Sequence, residues 1–172
     1  MIANPHRERE RKLEAACGYL ELNMPEHALR ELDRIADPEA IPFEFNRLRG
    51  EALRTASQFE PALEAYARAL AEQPEDLSVL MGMAWCYKRT GQLPRAIAAM
   101  EQAYRAHPKE PIVLYNLACY FSLGGEKAQA LSWLGRALRM ESSLRKLISD
   151  EPDFDSLRND PDFQYVTGSP TS

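Results

Sequence analysis

Three histidines and three cysteines are the side chains in this chain best suited to metal or nucleophilic chemistry. A helical zinc site needs two such ligands on one face, at a spacing of four with an acid nearby. His6 precedes the first helical stretch, His27 opens a later one, and His107 sits beside Pro108 in a turn, so no two share a face. Cys17, Cys86 and Cys119 cannot all pair, and each falls in the middle of a helical stretch, which reads as a reduced, buried thiol. There is no glycine-rich phosphate loop, and no serine or cysteine has a base in sequence register. The expectation is no enzyme, no metal and no cofactor.

The remaining residues with chemical potential are aromatic and charged, and their positions follow a period. Ala28, Ala62, Ala96 and Ala130 stand 34 residues apart. With residues 9, 43, 77 and 111 taken as position 1, position 8 is always small: Ala16, Gly50, Ala84 and Ala118. Position 11 is always large: Tyr19, Leu53, Tyr87 and Phe121. Position 24 holds Leu32, Tyr66, Met100 and Leu134, and position 15 holds Asn23, Ser57, Gly91 and Gly125. Small residues let two helices approach closely, and large ones fill the remaining grooves. Position 15 takes residues that tolerate a helix end. Position 32 reads Ala40, Pro74, Pro108 and Ser142, with proline stopping the second helix in two units.

On these columns the chain resembles the tetratricopeptide repeat family, whose unit is a helix-turn-helix of 34 residues that stacks on copies of itself. The resemblance implies an all-α, right-handed α-solenoid of antiparallel helix pairs. It divides the chain into a lead-in at 1–8 and four units at 9–42, 43–76, 77–110 and 111–144. A capping segment follows at 143–166, then a disordered end at 167–172. Lys12 and Arg11 replace apolar residues of later units, as a unit with one face in water requires. Asn46 and Arg49 do so in the second unit, which reads as the most weakly packed.

The segment after Ser142 carries two similar modules nine residues apart, Glu151-Pro152-Asp153-Phe154 and Asp160-Pro161-Asp162-Phe163. An acid, a proline and a second acid form a helix start, because proline suits the first turn and the acids complement the dipole. Short helical turns are expected near 152–158 and 161–166, with Phe154, Leu157, Phe163 and Val166 laid over the last unit. Endings of this kind follow the last repeat in many bacterial proteins of the family.

In that family the first helix of each unit lines a concave face, through positions 2, 5, 6, 9 and 12. The resemblance therefore nominates Arg47, Glu51 and Arg54 in the second unit and Met81, Trp85 and Lys88 in the third. In the fourth it nominates Ile112, Tyr115, Asn116 and Cys119. Aromatic anchors carry much of the energy at interfaces, and an amide such as Asn116 offers both donor and acceptor to a bound backbone. The columns that clamp a chaperone's terminal carboxylate read Leu13, Cys17, Leu48, Ser78 and Gly82 from the first unit. From the second they read Arg47, Glu51, Gly82, Ile112 and Asn116. Neither set is the clamp.

The implied function is a protein–protein interaction scaffold holding a peptide or short helix in its groove. A self-associating adaptor, or a chaperone for an exported substrate, is the alternative. The net charge of −5 with no basic stripe argues against nucleic acid. No run approaches the roughly 18 apolar residues that span a bilayer, and the charged start lacks a secretory signal. The expectation is a cytoplasmic protein, monomer or weak homodimer.

Overall fold

The computed structural model describes residues 5–168, and every described regular element is helical. The chain forms two compact units that meet in sequence between Gly91 and Gln92.

The first unit holds α1 (Pro5–Glu21), α2 (Pro25–Asp33), α3 (Pro42–Thr55), α4 (Phe59–Glu72) and α5 (Leu77–Arg89). Proline opens α2 and α3, where its missing N–H costs nothing and its fixed φ suits the helix. The periodic turn column is written in the backbone. Asn23, Ser57, Gly91 and Gly125 have φ of 55°, 60°, 73° and 75°, all in the left-handed region that reverses the chain after a helix.

The small columns are buried as expected. Ala16, Ala28, Ala62 and Ala84 have no exposed surface, and Ala16 and Ala28 meet Leu32, Ile35, Leu48 and Ala52 in one core. A second core joins Leu53, Ala62, Ala65, Tyr66, Ala69, Val79, Met83 and Cys86. Tyr66 has the two closest neighbours. Its ring lies where a Cβ on Gly50 or Gly82 would come within 2.6 or 2.5 Å of it.

Three expectations change here. Helix α1 starts at Pro5, so described residues 5–8 of the lead-in are helical, helped by pairing of His6 with Glu10 and Glu8 with Lys12 across one turn. Lys12 is not a merely solvated residue, because its Nζ also donates to the carbonyl of Arg34 just past the end of α2. Arg49 and Asn46 are likewise employed: Arg49 pairs with Asp33 at 2.6 Å and lies over the Phe45 ring, and Asn46 donates to the Pro42 carbonyl at 2.7 Å. Tyr66, in the same repeat, is only 3% exposed.

The second unit holds α6 (Leu93–Ala106), α7 (Pro111–Leu123), α8 (Lys127–Met140), α9 (Arg145–Ile148) and α10 (Pro161–Thr167). Short 3₁₀ stretches lie at Ser142–Leu144 and Pro152–Leu157. Helix α7 buries Val113, Leu114, Tyr115, Leu117, Ala118, Cys119, Tyr120 and Ser122, more than one stripe of its surface. A helix apolar nearly all round must be covered on several sides. Helices α6 and α8 cover two of them, and the turn at Pro152–Leu157 covers another.

Both tail modules start as their sequence requires. Glu151 accepts from the Asp153 N–H, and Asp160 accepts from the N–H groups of Asp162 and Phe163. The first module makes a 3₁₀ turn and the second makes α10, which packs on α8. Phe154, Leu157 and Phe163 are buried, while Val166 stays half-buried. Thr167 and Gly168, assigned above to a disordered end, finish α10: Thr167 Oγ1 donates to the Phe163 carbonyl, and Gly168 takes the left-handed cap. Residues 169–172 lie outside the described residues.

Candidate functional site

Trp85 stands at the middle of α5 and is half-exposed. Phe59, the first residue of α4, meets it edge-on with ring centroids 5.4 Å apart and planes at 73°. The Arg54 guanidinium from α3 lies 5.4 Å from the same ring, and that of Arg89, one turn along α5, also lies at 5.4 Å. Arg89 reaches the Phe59 ring as well, at 5.5 Å. A guanidinium over an aromatic face is worth about 0.5–1 kcal/mol at an exposed site. Two such contacts and an edge-on ring fix the indole's orientation.

Arg54 is itself positioned from below, since its Nε donates to the buried Tyr66 hydroxyl at 3.3 Å. Met81 and Lys88 lie four residues before and three after Trp85, on the same side of α5, and both are half-exposed. On α3, Arg47 and Glu51 pair at 3.8 Å. The first unit therefore brings six nominated residues onto the faces of two helices: a rigid indole, a flexible thioether and a mixed set of charges.

The nominated residues of the second unit divide into two pairs. Ile112 and Asn116 remain half-exposed on α7. Tyr115 and Cys119, each 2% exposed, form the floor on which the tail sits. The fully buried Phe154 ring meets Tyr115 edge-on at 5.8 Å and stacks obliquely on Phe163 at 5.4 Å. Ser122, one turn beyond Cys119, donates from Oγ to the Asp153 carbonyl at 2.7 Å. Tyr115 and Cys119 are thus covered by the chain itself. The column rule finds their register on α7 but does not say which segment lies against them.

Sequence reasoning missed Phe59, Arg89 and Tyr66. Arg89 is four residues from Trp85 and could have been found from helical spacing alone. Phe59 and Tyr66 belong to a second helix, and only the packed pair brings them to the indole.

Burial pushes the Cys86 thiol up to about 11 and the Tyr66 hydroxyl up to about 12. Burial also raises Cys17 above its ordinary value. Thiols so placed remain protonated at neutral pH and are weak nucleophiles. Among the described residues, no helix is long and apolar enough to cross a membrane.

The family model of the tetratricopeptide repeat matches residues 47–111 and 81–144, together more than half of the chain. Among curated proteins, the cellulose synthase operon protein C of Pseudomonas fluorescens is 28% identical over 120 residues. That match takes in 65% of this chain but 9% of the relative, so the chain spans about a tenth of that protein's length. A solved Pseudomonas aeruginosa PilF structure superposes with a TM-score of 0.74 at 19% identity, covering 98% of this chain and 79% of PilF. A MamA crystal structure gives 0.73 at 20% identity, covering 80% and 81%. The tetratricopeptide repeat protein TTC0263 of Thermus thermophilus gives 0.71 at 19% identity, covering 94% and 89%. At these identities the likeness is one of fold.

Proposed function

We propose, from the premise that this chain belongs to the tetratricopeptide repeat family, that it is a non-catalytic scaffold holding a peptide or short helix of another protein. The fold is that of a protein–protein interaction scaffold in general, and the site we assign lies on the exposed faces of α3 and α5. The observation that carries this reading is the Trp85 indole, fixed by Arg54, Arg89 and Phe59 yet left half-exposed beside Met81 and Lys88. A rigid aromatic anchor loses little conformational entropy on binding, and a neighbouring methionine adapts to the shape it meets. The surrounding charges suit a ligand with an apolar residue flanked by carboxylates or free carbonyls. Ile112 and Asn116 are proposed as contacts on the second unit's own face. Cys17, Cys86 and Cys119 form no disulfide among the described residues, which favours a reducing compartment such as the cytoplasm.

The test uses a Trp133→Phe background, in which Trp85 is the one remaining indole. Peptides selected from a random library on the full chain should shift its emission saturably. The response should fall at least tenfold in affinity with Arg54→Ala or Met81→Ala, while circular dichroism stays unchanged. Peptides that bind a Trp85→Ala protein equally well would remove the site from this face.

A self-associating adaptor is the second reading. It is favoured by Tyr165, 88% exposed on α10, and by the exposed Leu147 and Met140 of the same unit. Light scattering across a concentration series separates the two.

A further inference from the structure

We propose that Cys119, Glu151 and Asp153 form a divalent transition-metal site, of the kind that takes Zn²⁺, closing the tail onto α7. One donor atom from each residue, the Cys119 sulfur and a carboxylate oxygen from each acid, lies within 4.8 Å of the other two. The donors come from two separate stretches of chain. Cys119 projects from α7, and the two acids flank Pro152 where the 3₁₀ turn starts. The folding of the tail is therefore what assembles the set.

A second observation points to the same place. The hydroxyl of Tyr115, four residues before Cys119 on α7, is buried and has no hydrogen-bond partner among the described residues. Four residues apart on one helix, Tyr115 and Cys119 share a face of α7, and that face is the one the tail covers through Phe154. A polar group buried without a partner destabilises the fold, because it gives up its bonds to water and gains none in return. A metal ion with its bound water gives this one a role, as a fourth ligand or as a donor that orients a ligand oxygen.

The chemistry of the set selects the metal class. A thiolate with two carboxylates suits Zn²⁺ and its spectroscopic substitute Co²⁺, and does not suit Ca²⁺ or Mg²⁺, which take oxygen ligands. Tetrahedral donors at 2.0–2.3 Å from zinc lie about 3.3–3.8 Å apart, so donors within 4.8 Å of one another close by at most about 1.5 Å. Glu151 can supply this movement because its side chain is half-exposed, and the same exposure gives the ion a way in. One Glu151 oxygen already accepts the Asp153 N–H, which leaves the other for the metal. Arg158 donates to Asp155 and to the carbonyls of Ile148 and Glu151, bracing the backbone beside the acids. On binding, the Cys119 thiol loses its proton to solvent and an S–metal bond replaces S–H, so affinity rises with pH.

The experiment titrates the reduced full-length protein with Co²⁺ and then Zn²⁺. One equivalent of Co²⁺ should raise a thiolate-to-cobalt band in the near ultraviolet, and Zn²⁺ should bleach it. Cys119→Ser should abolish the band, whereas the Cys17→Ser, Cys86→Ser double variant should keep it. Glu151→Gln retains an acceptor for the Asp153 N–H and should still lower affinity tenfold or more. Circular dichroism of each variant distinguishes loss of a ligand from loss of the fold, and Glu151→Gln, changed at the half-exposed donor, tests the site even if Cys119→Ser fails to fold. Absence of the band in wild type, its persistence in Cys119→Ser, or Glu151→Gln affinity equal to wild type would each overturn the proposal.

Discussion

The Tyr66 ring occupies the space that a side chain at residue 82 would need: a Cβ on Gly82 would lie 2.5 Å from its Cζ. Tyr66 is 3% exposed and bounded on its other edge by Gly50, so the ring has no free side to turn into. Alanine is ordinarily favoured over glycine inside a helix by up to about 1 kcal/mol. Here the clash should win, and Gly82→Ala should destabilise the protein by about 1–3 kcal/mol, as overpacking does elsewhere. Urea unfolding measures this, and an unchanged or raised midpoint would show that the ring can yield.

Ser57 raises the opposite case. It holds φ of 60° at the turn between α3 and α4, a conformation that costs an ordinary residue about 1–2 kcal/mol. The other three turns of this column use Asn23, Gly91 and Gly125, all more tolerant of the left-handed region. The side chain is exposed, so nothing is lost from packing. Ser57→Gly should stabilise by about 0.5–1 kcal/mol once the extra freedom of glycine in the unfolded chain is set against the relief. A fall in melting temperature would refute this.

These two residues show what the sequence could and could not say. The 34-residue columns predicted the helix pairs, the turns and the buried small residues because each depends on the chain's own neighbours. They could not show that Gly82, in a column read as groove-facing, lies against Tyr66. Nor could they show that Arg49 would find Asp33, or that Tyr115 and Cys119 would lie under Phe154. Those facts depend on which distant segment arrives at a face. The Trp85 cluster was half legible for the same reason: Arg89 follows from helical spacing, whereas Phe59 comes from another helix.

Phe154 is fully buried on α7, and Ser122 donates to the carbonyl just before it. Phe154→Ala should cost the second unit about 3–5 kcal/mol. Ser122→Ala removes this buried hydrogen bond and should cost about 0.5–1.5 kcal/mol. Amide exchange in α7 should quicken in both variants. If exchange in α7 stayed slow while Phe154→Ala merely loosened the tail, the tail would be an accessory to the fold rather than its cap.

Lys127 ties the second tail module to α8 with a double ion pair, 2.6 Å to Asp160 and 2.8 Å to Asp162. The Lys127 hydrogen bond holds the Asp160 carboxyl below its ordinary value, and hydrogen bonds from Asp160 and Asp162 hold the Lys127 ammonium above its own. A carboxylate lowered by folding contributes stability above its unfolded pKa, about 3.9, and loses it as pH falls through the lower folded value. A raised ammonium contributes below its unfolded pKa, about 10.4, and loses it as pH climbs past the folded value. The attachment of α10 should therefore be flat between about pH 5 and 9 and weaken at both extremes. Lys127→Met should remove much of the acid-side dependence when exchange of the α10 amides is followed from pH 6 to 3. An identical profile in that variant would assign the dependence to other carboxylates.

The buried Tyr115 hydroxyl gives the sharpest test of the tail junction. A hydroxyl without a partner penalises the folded state, so Tyr115→Phe, which keeps the ring against Phe154, should stabilise the metal-free protein by about 1 kcal/mol. The opposite outcome is equally informative. A lowered urea midpoint in the presence of a chelator would mean that the hydroxyl makes a hydrogen bond of its own, which removes the orphaned group as a support for the metal site. A raised midpoint with chelator, together with weaker Co²⁺ binding by about tenfold, would mean that the phenol costs stability in the empty site and serves the occupied one.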